Sequence, residues 1–125
     1  MVDRAPVTVL GIDHVQVAGP TGCEAEARAF YGGLLGLEEL PKPEALRVRG
    51  GCWFRAGAQE LHVGVEEPFA PARKAHPGLV VADLAALAER LRSAGIAVSP
   101  DDTLAGTTRF HAADPFGNRL EFRQG

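Results

Sequence analysis

Hydrophobic and polar positions along the chain alternate between strand-like and helix-like patterns. Residues 7–19, VTVLGIDHVQVAG, are rich in β-branched side chains and precede Pro20, which predicts a strand. A helix is predicted over CEAEARAFYGGLLG, with a capping-box pattern of Thr21 and Glu24 at its start and Gly36 at its end. Three short strands follow, LEEL, GCWFRAG and QELHVGVEE, and the stretch ALRVRG before the second of them also alternates.

The same order returns after a proline-containing connector at 68–75. HPGLVV predicts a strand and ADLAALAERLRSAG an amphipathic helix that stops at Gly95, followed by the strands IAVSP, TTRFHAA and RLEFRQ, with the turn DPFGN before the last. The sequence therefore predicts a single α+β domain over 1–125, built from two tandem βαβββ modules at about 7–67 and 76–124. We expect a curved mixed-sheet cup with the helices on its outer face.

An internal duplication makes the two halves comparable position by position. The two helix stops, Gly36 and Gly95, lie 59 residues apart. Aligning QELHV with NRLEF places His62 opposite Glu121, again 59 residues away, and leaves Glu60 opposite Arg119. Glu60 and His62 share one strand face, so face alternation alone does not separate them, whereas the repeat favours His62 as the counterpart of Glu121.

Polar groups gather on one face of the predicted sheets. Alternation in each strand puts the apolar side chains under the helices and all four histidines on the other face, namely His14, His62, His76 and His111. A single histidine on such a face is most often a solvated side chain. Four of them, together with Glu121 and Trp53, predict a concave and partly buried site rather than open solvent.

Composition narrows the class of protein. A hydrophobic content of 46% in 125 residues is typical of a folded domain with a real core. The net charge of −3 gives no electrostatic basis for binding nucleic acid or an anionic membrane, and no apolar run has the length of a membrane span. Two cysteines, Cys23 and Cys52, are too few for a disulfide framework and are predicted to be buried small hydrophobes. No signal-peptide pattern is seen at the N-terminus, so a cytoplasmic location is expected.

Three motifs, IDHVQVAGP, ARAFYGGLLGLEE and DPFGNRLEF, give the chain a family resemblance. It resembles the vicinal oxygen chelate superfamily, which includes glyoxalase I, methylmalonyl-CoA epimerase, extradiol dioxygenases, and fosfomycin- and bleomycin-resistance proteins. The resemblance implies one divalent metal per site (Zn, Ni, Co, Mn or Fe) and a homodimer, because the family often builds each site from modules of two subunits. Carried over by position, the implied ligands are His14, His62, His76 and Glu121.

The resemblance also implies roles around the metal. Glu121 is the first candidate for a catalytic base, and Glu60 is the second, unless Glu60 is simply a solvated carboxylate. His111 would contact substrate or donate a proton, and Arg109 would hold a carboxylate or phosphate, although either could be a plain surface residue. Trp53 and Arg55 are expected to line the mouth of the cup.

These residues point to a metal-dependent lyase or isomerase whose small substrate chelates the metal through vicinal oxygens. A histidine at position 62 departs from the glutamate that glyoxalase I often carries there. An Fe(II) extradiol-type dioxygenase is the main alternative and would need only two histidines and one carboxylate. Fosfomycin modification is disfavoured by the lysine-free loop SPDDTLAGTT, and non-enzymatic drug binding by the retained ligands His14, His76 and Glu121.

Overall fold

Secondary structure repeats along the chain in the computed structural model, which describes residues 5–125; positions 1–4 of the predicted domain lie outside the described residues. The first half contains β1 (His14–Gly19), α1 (Glu24–Ala27) continued by a π-helix (Arg28–Leu34), β2 (Glu38–Leu40), α2 (Glu44–Arg47), β3 (Cys52–Ala56) and β4 (Gln59–Val65). The second half contains β5 (Gly78–Val81), α3 (Leu84–Ser93), β6 (Ser99–Pro100), β7 (Arg109–Ala113) and β8 (Arg119–Gln124).

Two four-stranded mixed sheets result, with the orders β1-β4-β3-β2 and β5-β8-β7-β6. In each sheet the first strand pairs in parallel with the last, and the other pairings are antiparallel. This arrangement confirms the predicted α+β fold with paired βαβββ units. It places β1 and β5 at one edge of their sheets, and the short strands β2 and β6 at the other.

The strand register supports the repeat alignment that sequence suggested. In the parallel pairs, Gln16 faces His62 and Gly78 faces Glu121. These partners stand two residues after His14 and His76, respectively. His62 therefore occupies, in the first sheet, the place that Glu121 occupies in the second.

One hydrophobic core joins the two halves. It contains residues from both sheets, from α1 with its π-helical continuation and from α3, and the largest fully buried side chains are Tyr31, Phe30, Phe54 and Phe122. Both cysteines are buried in this core, as predicted, and burial raises the pKa of the Cys23 thiol to about 11. A thiol with such a pKa is protonated and unreactive at neutral pH, consistent with a packing role.

The first strand is shorter than predicted. β1 begins only at His14, so residues 5–13 are not part of it. The partner strand β4 begins at Gln59, just after the turn at Gly57, and the backbone N–H of Glu60 already donates to the carbonyl of Asp13. Nothing in β4 extends further to pair with earlier residues. The apolar side chains of Val7, Val9 and Leu10 are consequently almost fully exposed.

Two local predictions were wrong for identifiable reasons. Thr21 forms no capping box, since its N–H and hydroxyl both donate to Glu67, while the Glu24 carboxylate accepts the N–H of Gly51 at 2.8 Å. Glycine is required at position 51, because Gly51 has φ +86° and a Cβ there would lie 2.1 Å from the carbonyl oxygen of Val63. The alternating stretch ALRVRG begins instead in α2, which follows Pro43, a residue that favours a helix start.

The turn DPFGN is organised by the buried carboxylate of Asp114. It accepts hydrogen bonds from the Tyr31 hydroxyl at 2.7 Å, from the N–H groups of Phe116 and Asn118 at 2.9 and 2.8 Å, and from the Asn118 side chain at 2.8 Å. The Asn118 amide also donates to the Ala18 carbonyl in β1, at 2.7 Å. This family motif thus ties the second module to the first module's helix and edge strand.

We expect Asp114→Ala to lower the free energy of unfolding by about 3 kcal/mol, because a buried hydroxyl and several amide donors lose a charged acceptor. Urea unfolding followed by circular dichroism measures this change. Asp102→Ala, at an exposed position, is the matched control and should stay within about 0.5 kcal/mol of the parent. A loss below about 1 kcal/mol at Asp114 would contradict its role as the organiser of the turn.

Candidate functional site

Glu121 stands at the centre of a polar group in the second sheet. Its side chain is 10% exposed, and it lies on β8 opposite His111 of β7. His76 precedes β5, where the N–H of Glu121 donates to the neighbouring Pro77 carbonyl at 3.0 Å. Three neighbouring strands of one sheet thereby bring these side chains together. We call Glu121, His76, His111, Arg109 and Arg123 the carboxylate cluster.

The two oxygens of Glu121 have different surroundings. Oε1 lies 3.4 Å from Nε2 of His76, 3.4 Å from Nε2 of His111 and 3.2 Å from Nη1 of Arg109. Oε2 accepts the Arg123 Nε–H at 2.6 Å. The Arg123 hydrogen bond is the main cause that lowers the pKa of the Glu121 carboxyl, aided by His76 and Arg109. Glu121 is therefore a carboxylate at neutral pH.

His76, His111 and Glu121 fit a divalent metal ion. Their ligand atoms all lie within 4.8 Å of one another. Nδ1 of His76 lies 2.7 Å from the Lys74 carbonyl, which can only accept, so Nδ1 carries a proton and Nε2 is the ring nitrogen that faces the cluster. Two imidazoles and a carboxylate are a donor set that first-row transition metals take.

Arg109 is held on its far side by the loop after β6. Its Nη2 lies 3.1 Å from the Asp101 carboxylate and donates to the Thr103 hydroxyl at 3.2 Å. Hydrogen bonds from the Thr103 hydroxyl and N–H lower the pKa of Asp101, which keeps it charged. Asp101 also stands 3.8 Å from Nδ1 of His111. This loop thus positions two members of the carboxylate cluster.

A different arrangement occupies the equivalent place in the first sheet. The ring of His62 is sandwiched between His14, at a centroid distance of 4.2 Å, and Trp53, at 4.1 Å with an interplanar angle of 3°. We call these three residues the histidine stack. Nε2 of His62 lies 2.9 Å from the Glu60 carboxylate, and Nδ1 of His14 lies 2.9 Å from that of Asp13.

The predicted site residues therefore fall into two groups. His76 and Glu121 come together with His111 and Arg109, while His14 and His62 come together with Trp53 and Glu60. Within residues 5–125, His14 and His62 do not belong to the group whose ligand atoms lie within 4.8 Å. Arg55 is exposed and stands opposite Glu60 in the pairing of β3 with β4.

Arg123 and Asp101 were not predicted from the sequence as site residues. Arg123 stands two residues after Glu121 on the same strand face, so period-two alternation could have suggested the contact. Asp101 lies in an irregular loop after the two-residue strand β6. No periodic pattern in the sequence indicates that its carboxylate meets Arg109.

A cavity of about 1330 Å³ runs along the two edge strands. Its walls are mostly apolar and include Val15 of β1, Leu79 of β5 and Leu87 of α3. His76 of the carboxylate cluster and Glu60, which contacts His62, also line it, whereas Glu121, His111 and His62 do not.

The fold and site define a duplicated βαβββ domain with three side chains on its second sheet that could hold a metal ion. Residues 11–122 match the profile of the Glyoxalase/Bleomycin resistance protein/Dioxygenase superfamily. The chain belongs to this superfamily. No curated protein sequence matches it significantly.

Solved structures of the same fold accompany this match. A glyoxalase family protein from Bacillus anthracis is 51% identical, with 97% of this chain and 99% of that chain covered and a TM-score of 0.92. Lactoylglutathione lyase from Agrobacterium tumefaciens (21% identical, 94% and 95% covered, TM-score 0.72) and the fosfomycin resistance protein FosX from Listeria monocytogenes (12% identical, 94% and 95% covered, TM-score 0.75) share the fold. In the described part of the chain, no helix combines the length and the hydropathy that crossing a membrane requires.

Proposed function

We propose that the protein is a divalent-metal-dependent enzyme of the glyoxalase-like type, a lyase or isomerase acting on a small substrate that chelates the metal through vicinal oxygens. The observation that carries this proposal is the convergence of His76, His111 and Glu121 on one point. Membership of the superfamily supports the reaction class without selecting the substrate.

The side chains suit proton transfer beside a polarised oxygen. A bound divalent ion would supply a Lewis acid for negative charge that develops on the substrate. Glu121 and Glu60 are the candidate bases. Glu60 lines the cavity, and its contact with His62 holds its carboxylate in place. His111 is mostly buried and can donate a proton or serve as a ligand. Trp53 and Arg55 lie on β3, next to the strand that carries Glu60.

We further propose a homodimer in which modules of two subunits complete each site. The edge strands β1 and β5 are unpaired on one side, and Val15 and Val80 on them are exposed. Such edges are favourable places for association with a second copy. Pairing would bring the histidine stack of one subunit near the carboxylate cluster of the other and so unite the four ligands His14, His62, His76 and Glu121.

A second candidate function is an Fe(II) extradiol-type dioxygenase. Two histidines and one carboxylate, the set formed by His76, His111 and Glu121, are typical of non-haem Fe(II) oxygenases. The single tyrosine, Tyr31, is buried in the core and donates to Asp114, so it does not assist chemistry at this cluster. This placement favours the lyase or isomerase.

Metal analysis combined with a substrate panel tests the proposal. We expect about one divalent metal per site in the purified protein, and turnover of an α-keto aldehyde hemithioacetal or a related isomerisation substrate. Oxygen uptake with a catechol in the presence of Fe(II) would instead support the dioxygenase, and modification of fosfomycin would support a resistance enzyme. If the purified protein binds none of Zn, Ni, Co, Mn or Fe, metal-dependent catalysis is excluded.

A further inference from the structure

We propose that residues 7–12, VTVLGI, dock on strand β5 of a second copy of this chain and hold the two subunits together. We call these residues the arm. The inference rests on the proposed homodimer and deepens it by naming the segment that joins the two copies. Two features support it: an apolar segment that its own subunit leaves uncovered, and a free strand edge with an apolar cavity beside it.

The arm is apolar, and its own subunit does not cover it. Val7, Val9 and Leu10 are 94%, 89% and 95% exposed, and Ile12 is 66% exposed. Single exposed apolar side chains are ordinary on protein surfaces, but four within six residues form a continuous apolar segment. No hydrogen bond among residues 5–125 involves residues 5–12, so these residues do not pair the arm's backbone. Both properties are those of a strand that has not joined a sheet.

Strand β5 has a free edge that suits such a segment. It pairs in parallel with β8 and has no other neighbour in its sheet. The N–H of Glu121 in β8 donates to the Pro77 carbonyl, and in a parallel ladder only every second residue bonds to the same neighbour. The backbone groups of Gly78 and Val80 therefore point to the free edge. Val80 is 74% exposed, and Gly78 has no side chain to block an incoming strand.

The cavity along β1 and β5 can bury the apolar side chains of the arm. Its walls include Leu79 and Val80 of β5 and Val15 of β1. Glu121, His111 and His62 do not line it, so an arm in this cavity would leave those candidate ligands free. Ile12, the last residue of the arm, lines the same cavity in its own subunit. A second copy that binds along these edges would therefore meet the arm directly.

A second copy of the chain satisfies the arm better than its own subunit or a foreign partner does. The high exposure of Val7, Val9 and Leu10 shows that the arm does not fold back on its own β5. Six extended residues span about 20 Å, which is enough to cover the four residues of β5. In a two-fold dimer each arm would cover the edge of the other subunit, and the assembly would close. A foreign partner on the arm would leave the β5 edge open.

The arm also leads directly into the histidine stack. Asp13 follows Ile12, and its carboxylate lies 2.9 Å from Nδ1 of His14. The Asp13 carbonyl accepts the N–H of Glu60, so pairing with β4 begins where the arm ends. An anchored arm would fix the start of β1 and, with it, the ring of His14.

Disulfide cross-linking between singly substituted chains tests where the arm lies. Full-length Val9→Cys and Val80→Cys chains are mixed, allowed to exchange subunits and oxidised mildly, and the mixed disulfide is measured by mass spectrometry. We expect at least about fivefold more of it than with the control Val48→Cys, an equally exposed position that follows α2 in the other module. Val7→Cys covers a register shifted by two residues. The two native cysteines are buried with raised thiol pKa values and stay out of the reaction.

Removing the apolar side chains of the arm tests its contribution to the dimer. In the triple variant Val7→Ser, Val9→Ser, Leu10→Ser we expect the dimer dissociation constant to rise at least about 100-fold, because both arms lose their buried side chains. Analytical ultracentrifugation measures this constant. Circular dichroism should show the native fold, since these side chains are almost fully exposed in their own subunit. Val48→Ser is the matched control and should change the constant less than about twofold.

Failure of this inference and failure of the proposed function give different results. If neither arm cysteine forms more mixed disulfide with Val80→Cys than with Val48→Cys, docking on β5 is wrong, while the metal site stands. An unchanged dissociation constant in the triple variant overturns the arm as the segment that joins the subunits. A parent chain that sediments as a monomer overturns both the homodimer and the arm, whereas loss of the metal site would appear only in the metal analysis.

Discussion

Glu121→Gln should lower the affinity for a divalent metal by at least about 100-fold and abolish turnover. The substitution keeps the size of the side chain but removes the negative charge on which two imidazoles and two guanidinium groups converge. An amide oxygen is a weaker ligand than a carboxylate and cannot act as a base. The neighbouring arginines then repel the metal without a compensating anion.

Competition with a fluorescent chelator measures this affinity, and circular dichroism shows whether the fold persists. The core around β8 is apolar and does not depend on the Glu121 charge, so we expect native secondary structure. Glu89→Gln, an exposed change of the same chemistry on α3, is the control. Full activity of Glu121→Gln would remove Glu121 both as a ligand and as the base.

His62→Ala should weaken metal binding about tenfold or more, and more than Glu60→Ala does. The strand register is the reason, since His62 takes the position in the first sheet that Glu121 has in the second. Glu60, two residues earlier, would act on His62 by orienting its imidazole through the 2.9 Å contact. The reverse order of effects would show that the repeat assigns the wrong residue.

Mixing the two variants tests whether the site is shared between subunits. In a homodimer with shared sites, a subunit carrying Glu121→Gln and a subunit carrying His62→Ala together form one intact site. After random exchange, about a quarter of the parent activity should return. Recovery close to zero, with subunit exchange demonstrated by mass spectrometry, would place each site within a single chain.

Much of the fold followed from local patterns. The apolar alternation in RLEFRQ and the amphipathic stripe of α3 belong to segments whose one face is buried, so periodicity reports their structure directly. The strand predicted over 7–19 is present only from His14, because β-branched composition says nothing about whether a partner strand is present. The π-helical stretch at Arg28–Leu34 has no simple sequence pattern to predict it.

The site was harder to predict than the fold. Strand alternation and the repeat indicated Glu121, His76 and His111, because these lie on regular strands or immediately beside one. The role of Asp101 depends on how an irregular loop folds back on Arg109, a long-range geometry that single-sequence patterns do not encode. Likewise, the ring stacking that encloses His62 depends on the pairing of β3 with β4.

The stacking of Trp53 on His62 gives this protein a built-in optical probe. The chain has one tryptophan, so its intrinsic emission comes from a single indole, and that indole lies face to face with the imidazole at 4.1 Å. Any event that protonates, displaces or coordinates His62 changes the immediate environment of the fluorophore. Titrations with metal or ligand can therefore be followed on the unlabelled chain, and the wavelength and intensity of emission will report on the surroundings of Trp53 and His62.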